Sequence, residues 1–325
     1  MARVTVNQLK LNMVLKKALF LLRDKTVLTT RTGSPMLRVT LADNTGTIAG
    51  VYFDVPEYVA ESLQVGQGVE VSGRVTDFKD QLQITLERIT PVEISDWADF
   101  LPAARRPVAE MERELGSLIA SIKNGDLHRL LHAIFDDPEI HAAFVRAPAA
   151  KVNHHACVGG LLEHTLSVAR LVQAAAQLYP ELNRDLALTV ALLHDLGKTR
   201  AYAPVTFDLT EEGSLWSHLY IGAAQVERAI AGLPGFNPEL RLRVIHAILA
   251  HHGRLENGSP VLPMTVEALV LHYADHLDGD TRGALDQMGR EGEGGLFTAH
   301  SAMHETRLYR GAREEQEPPR QDTLF

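Results

Sequence analysis

The chain changes its hydrophobic period once, and that change limits it to a two-part architecture. From residue 18 to 92, apolar and polar residues alternate in short runs, as at 36–41 and 68–75, with turn signals at Asp43-Asn44-Thr45-Gly46 and at Lys79-Asp80. Period two places alternate side chains on opposite faces of a strand. About five such strands with one helical insert at 56–62 are the parts of a small closed β-barrel. Beyond residue 110 the spacing becomes helical, predicting helices at 111–122, 126–135, 139–146, 161–178, 184–196, 219–231, 239–250 and 265–288.

The expected organisation is therefore multi-domain: an all-β barrel over 1–95, a linker over 96–110, an all-α helical bundle over 111–300 and a flexible tail over 301–325. The linker assignment rests on prolines mixed with charges and no period. A small hairpin is expected within 202–215, around Thr210-Glu211-Glu212-Gly213, delivering His218 to the next helix.

Bulk properties exclude several classes. No run of about 18 apolar residues is present, so no membrane span is expected, and residues 1–17 lack a continuous signal-peptide core. A cytoplasmic protein is the simplest expectation. The single cysteine, Cys157, excludes an internal disulfide and a cysteine-built zinc site. A formal charge of −9 argues against a nucleic-acid partner, but its distribution does not. Residues 1–42 carry Arg3, Lys10, Lys16, Lys17, Arg23, Lys25, Arg31 and Arg38 against Asp24 alone, a local surplus of seven. Screening beyond about 8 Å lets such a surface hold phosphates on an anionic chain. Phe20, Tyr52, Phe53 and Phe78 are the aromatics available to stack on bases, with Phe78 beside a hairpin turn the first choice.

The chemistry lies in the second half, where all 15 histidines fall between His128 and His304. An ordered series stands out: His164, His194-Asp195, His218, His251-His252 and Asp275. Neutral imidazole and ionised carboxylate are the preferred donors of a borderline divalent metal, and without cysteines a metal must rest on them. Leu192-Leu193 before His194 and Leu196-Gly197-Lys198 after Asp195 suggest a buried helix stopped at a glycine. Side chains of adjacent helical residues point about 100° apart, so both can serve one ion fully only where the helix ends. A carboxylate can instead bridge two ions. His128, His132, His141, His246, His272, His276, His300 and His304 are read as hydrogen-bonded or surface residues.

In its order, the set His164, His194-Asp195, Asp275 resembles the ligand signature of the HD phosphohydrolase superfamily, and His218 with His251-His252 resembles its two-metal members. More narrowly, Ala147 to Lys151, then His154-His155, then Gly159-Gly160-Leu161-Leu162-Glu163-His164-Thr165 is similar to the YhaM family of 3′-to-5′ exoribonucleases. So is the domain order, a barrel that looks like an OB-fold before the helices. Ser217, where glycine is expected, and Cys157, where an aromatic is usual, depart from the pattern.

The resemblance implies that His164, His194, Asp195 and Asp275 hold a first ion, and that His218, His251 and His252, with Asp195 bridging, hold a second. Mn²⁺ is the expected metal and Fe²⁺ the next. Asp195 and Lys198 are the expected catalytic residues, and Lys151, His154, His155, Lys198 and Phe78 are expected to touch substrate. The implied reaction is removal of 5′-mononucleotides from the 3′ end of single-stranded RNA, with some action on DNA. Hydrolysis of small or cyclic nucleotides, and a non-catalytic single-strand-binding adaptor, are the alternatives. A homo-oligomer is compatible with either enzyme. The last five residues, including Gln321, Leu324 and Phe325, resemble peptides that dock on bacterial sliding clamps.

Overall fold

The computed structural model describes residues 3–30, 33–79, 81–94, 97–151, 155–290 and 295–311. A five-stranded barrel is followed by a helical domain. Strands β1 (Val14–Thr29), β2 (Pro35–Asp43), β3 (Gly46–Phe53), β4 (Gly68–Phe78) and β5 (Gln81–Val92) close in the order β1-β2-β3-β5-β4, with helix α1 (Glu57–Ser62) between β3 and β4. All neighbouring pairs are antiparallel except β3 with β5. Long β1 pairs with both β2 and β4, and irregularities at Leu22/Asp24 and Leu15/Ala18 let it turn the corner. Inward residues such as Phe20, Leu37, Val69 and Ile84 fill the interior. Phe20 is thus core and presents no face to a base. Phe53 and Phe78 are about half exposed.

The helical domain comprises α2 (Val108–Ala120), α3 (Gly125–Phe135), α4 (Pro138–Arg146), α5 (Gly160–Leu178), α6 (Arg184–Leu193), α7 (Lys198–Ala201), α8 (Glu211–Ala231), α9 (Pro238–Ala250) and α10 (Val266–Arg290). Caps set several starts. Asn124, Asp137, Asn183 and Asn237 each accept backbone N–H groups from the first turn of α3, α4, α6 and α9. The core centres on α6, all of whose residues from Leu186 to Leu193 are buried. No described helix is long and apolar enough to cross a membrane.

Four expectations need correction. The linker packs at Phe100 and Leu101, which join Leu21 and Ala42 of the barrel and Phe207 of the helical domain in one buried cluster. The hydrophobic side chains of the segment outweigh its prolines and charges. The hairpin within 202–215 reduces to a single bridge between Tyr202 and Leu209, and Thr210 opens α8 by accepting the Gly213 N–H. Gly197 has ordinary right-handed dihedrals and does not stop α6 by a left-handed cap. Its role is space, because a Cβ there would run into the His218 carbonyl oxygen and the Gly222 nitrogen of α8. Part of the expected tail, finally, is ordered: β6 (Phe297–Ser301) pairs with β7 (Thr306–Tyr309), where Thr298 accepts the Leu308 N–H and Arg307 lies over Phe297. The C-terminal residues Gln321, Leu324 and Phe325 lie outside the described residues, as does His154.

Candidate metal centre

Five separate segments deliver the expected donors to one buried place. His164 lies in the second turn of α5. His194 caps α6 and Asp195 follows it, so the doublet sits where the helix ends. His218 follows a break inside α8 at Ser217, whose φ of 64° and ψ of 148° belong to a region that is essentially glycine territory. That backbone is the physical reason for expecting glycine there. His251 caps α9 with His252 next, and Asp275 stands in α10.

Asp195 organises the centre. Its Oδ2 lies 3.4 Å from His164 Nε2 and 3.3 Å from His194 Nε2, while its Oδ1 lies 3.4 Å from His218 Nε2 and 3.6 Å from His251 Nε2. Asp275 Oδ1 adds approaches of 3.1 Å to His164 Nε2 and 3.8 Å to His194 Nε2. His252 joins His218 and His251 with donor atoms all within 4.8 Å. The two carboxylate oxygens therefore face two different groups of imidazoles.

Those spacings suit cations. Metal–ligand bonds of about 2.1 Å at right angles put neighbouring donors roughly 3.0 Å apart. Asp195 Oδ1, His218 Nε2 and His251 Nε2 are buried without a hydrogen-bond partner, a costly state for polar atoms. The outer nitrogens explain why the inner ones are available. His194 Nδ1 donates to Ala191 O, His251 Nδ1 to Ile248 O and His252 Nδ1 to Asn257 O, at 2.8, 2.7 and 2.9 Å. A carbonyl oxygen can only accept, so each Nδ1 carries a proton and Nε2 is left as the ligating nitrogen facing inward. The donor set fits a divalent metal.

Charge within the centre is balanced locally. Burial opposes ionisation of Asp195, but Lys198 and His194 outweigh it and hold the carboxyl well below its usual range. Lys198 Nζ lies 2.7 Å from Asp195 Oδ2. Burial likewise opposes charge on His164, yet hydrogen bonds to Asp195, Asp275 and Asp278 carry it well above an ordinary imidazole, so a proton and a metal compete for its Nε2. Burial pushes His218 well down and His252 to about 4, which keeps both neutral and able to ligate.

Of the other expected site residues, Lys151 and Phe78 lie elsewhere and His155 lies beside His164. Lys151 is largely exposed and pairs with Asp208 at 2.6 Å. His155 is buried, with Nδ1 3.1 Å from Glu163 and Nε2 3.2 Å from Asp278. Both its nitrogens face carboxylates, surroundings ill suited to a phosphate. Phe78 sits at the tip of the β4–β5 hairpin with Lys79 over its ring. Sequence reasoning missed Asp278 and Glu163. The available signal was spacing: Asp278 is three residues beyond Asp275 on one helix, and so shares its face.

Known proteins match both halves. The HD domain family matches residues 161–280, a span that contains every expected ligand, and the OB-fold nucleic acid binding domain family matches residues 22–92. The 3′-5′ exoribonuclease YhaM of Bacillus subtilis is 36% identical over 250 residues, covering 76% of this chain and 79% of that protein. The YhaM exoribonuclease of Bacillus velezensis is 35% identical over 263 residues, 80% and 83% of the two chains, and that of a Geobacillus species is 33% identical over 286 residues, 85% and 86%. At 33–36% identity over most of each chain, the chain belongs to the YhaM family.

Proposed function

We propose that the chain is a metal-dependent exonuclease that removes 5′-mononucleotides from the 3′ end of single-stranded RNA, with some action on DNA. The observation that carries this reading is Asp195, a buried carboxylate whose two oxygens face separate imidazole groups, in a helical domain that follows an OB-fold barrel. The 3′-5′ exoribonuclease activity of its relatives supports the substrate and polarity.

His164, His194 and Asp275 would hold one cation and His218, His251 and His252 another, with Asp195 shared between them. Manganese is the leading candidate and iron(II) the next, because mixed imidazole and carboxylate donors with open positions suit both. Such a pair, when bound, supplies Lewis acidity and a water acidified to near neutrality. The protein's own part is placement. Lys198 sits against Asp195 and is the ammonium positioned to offset charge building on a phosphate's non-bridging oxygens. Phe78, exposed at the barrel rim, suits stacking on a base, and the basic surplus of residues 1–42 suits the strand's phosphates. Lys151, being exposed, is free to exchange Asp208 for a phosphate.

A 5′-labelled RNA oligonucleotide incubated with the protein and manganese should give a ladder of shortened products. An intact oligonucleotide across manganese, iron(II), magnesium and cobalt would refute the assignment. Clamp docking through the last five residues belongs to the same reading, and their removal should abolish pull-down by a sliding clamp.

A further inference from the structure

We propose that Asp278 is the positioning residue for His164, and that His155 and Glu163 act on the metal centre by holding Asp278 in place. The inference rests on reading the centre as a metal site. His164 is fully buried, and while its Nε2 faces the ligand cluster, its Nδ1 lies 2.7 Å from Asp278 Oδ2. That is closer than Asp275 or Asp195 comes to Nε2, at 3.1 and 3.4 Å. An ionised carboxylate only accepts, so Nδ1 donates to it and the ligating lone pair is directed to Nε2.

His164 differs in this from the ligands described above. His194, His251 and His252 each donate Nδ1 to a backbone carbonyl. A carboxylate acceptor makes a stronger, charge-assisted bond and raises the donor power of the opposite nitrogen. Asp278 is itself held in place. Its Oδ2 also faces His155 Nε2 at 3.2 Å, and His155 Nδ1 faces Glu163 Oε2 at 3.1 Å. The loop that presents His155 adopts a left-handed φ of 54° at that residue and packs on Gly160 so closely that a Cβ there would strike the His155 carbonyl oxygen. Such a backbone is strained and persists only when its surroundings impose it. The outer end of the series, Glu163 and His155, lines a cavity of about 350 Å³ with Arg105, Arg282 and Asp286. His155, His164 and Asp278 also cluster closely enough to suggest a separate ion site, but that site would need the His164 Nδ1 already engaged by Asp278.

The test is calorimetric titration of manganese into the metal-stripped full-length chain, using wild type, Asp278→Asn, His155→Gln and the double variant. Wild type should bind. Asp278→Asn should weaken binding by roughly 10- to 100-fold, His155→Gln by less, and the double variant no more than Asp278→Asn alone, because the hydrogen bond from His155 acts by holding Asp278. Nitrogen-15 and proton spectra of zinc-loaded protein should show the His164 Nδ1–H moved upfield in Asp278→Asn, as a neutral amide replaces the charged acceptor, a change that loss of packing alone would not produce. Should that variant fail to fold, His155→Gln still reads the relay through its affinity loss. Asp278→Asn binding within twofold of wild type, or a double variant whose loss is the product of the singles, would overturn the proposal. So would a His155→Gln variant with unchanged manganese affinity and a raised KM for RNA, since that marks a direct phosphate contact. A wild-type chain that takes up no manganese defeats the metal reading itself, and the first titration separates that failure from this one.

Discussion

Two aspartates, one in each half of the molecule, are almost equally buried and oppositely treated. Asp43 of the barrel is 3% exposed and accepts the Val6 N–H on Oδ2 and both the N–H and hydroxyl of Thr45 on Oδ1. Asp195 of the bundle is 1% exposed, its Oδ2 lies against Lys198, and its Oδ1 faces imidazole nitrogens without a hydrogen-bond partner. Burying a carboxylate is tolerated when hydrogen bonds replace its water. Asp43 is therefore a structural group that ties the N-terminal segment to the β2–β3 turn. Asp195 is a group held in reserve for a ligand.

Four experiments press on that contrast. The largest effect should come from Asp195→Asn, which removes a charged donor shared by both imidazole groups and should lower the rate of RNA cleavage roughly a thousandfold or more, measured as product ladder per unit time. Next is Asp43→Ala, which strands the Val6 and Thr45 donors; it should cost about 2–4 kcal/mol in urea unfolding while cleavage per folded molecule stays near wild type. If instead it abolished cleavage in folded protein, the two carboxylates would not differ in kind. Adding manganese at a hundred times its Kd should stabilise the chain by about 2.7 kcal/mol, seen as a rise in Tm that chelator reverses and that Asp195→Asn loses. The smallest effect belongs to Ser217→Gly, which relieves a strained backbone beside His218. It should raise stability by about 1 kcal/mol with manganese affinity retained.

The two halves were also unequally legible. In the barrel, alternation along β2 and β4 and the turn at Asp43-Asn44-Thr45-Gly46 announce strands and a hairpin, and the structure pairs Asp43 with Gly46 there. Local chemistry decides such features, so the sequence displays them. The ligand series was legible because imidazole and carboxylate residues at helix ends are few and ordered. What supports those ligands was not. Asp278 looks like any surface acid on a long helix until α10 packs against α5, and His155 is indistinguishable from His154 until the loop turns it toward Glu163. Phe100 and Leu101 read as linker because Phe207, the residue that makes them core, lies about a hundred positions away. Strand β7 hides among charges, since only its pairing with β6 marks it as a strand. Interactions made between distant segments leave little trace in either segment alone.

The central claim, that Asp195 divides its two oxygens between two cations, is tested most directly by anomalous diffraction at the manganese edge on crystals grown with the metal. The account expects two peaks flanking Asp195, one among His164, His194 and Asp275 and the other among His218, His251 and His252. A single peak, or manganese bound away from Asp195, would contradict it.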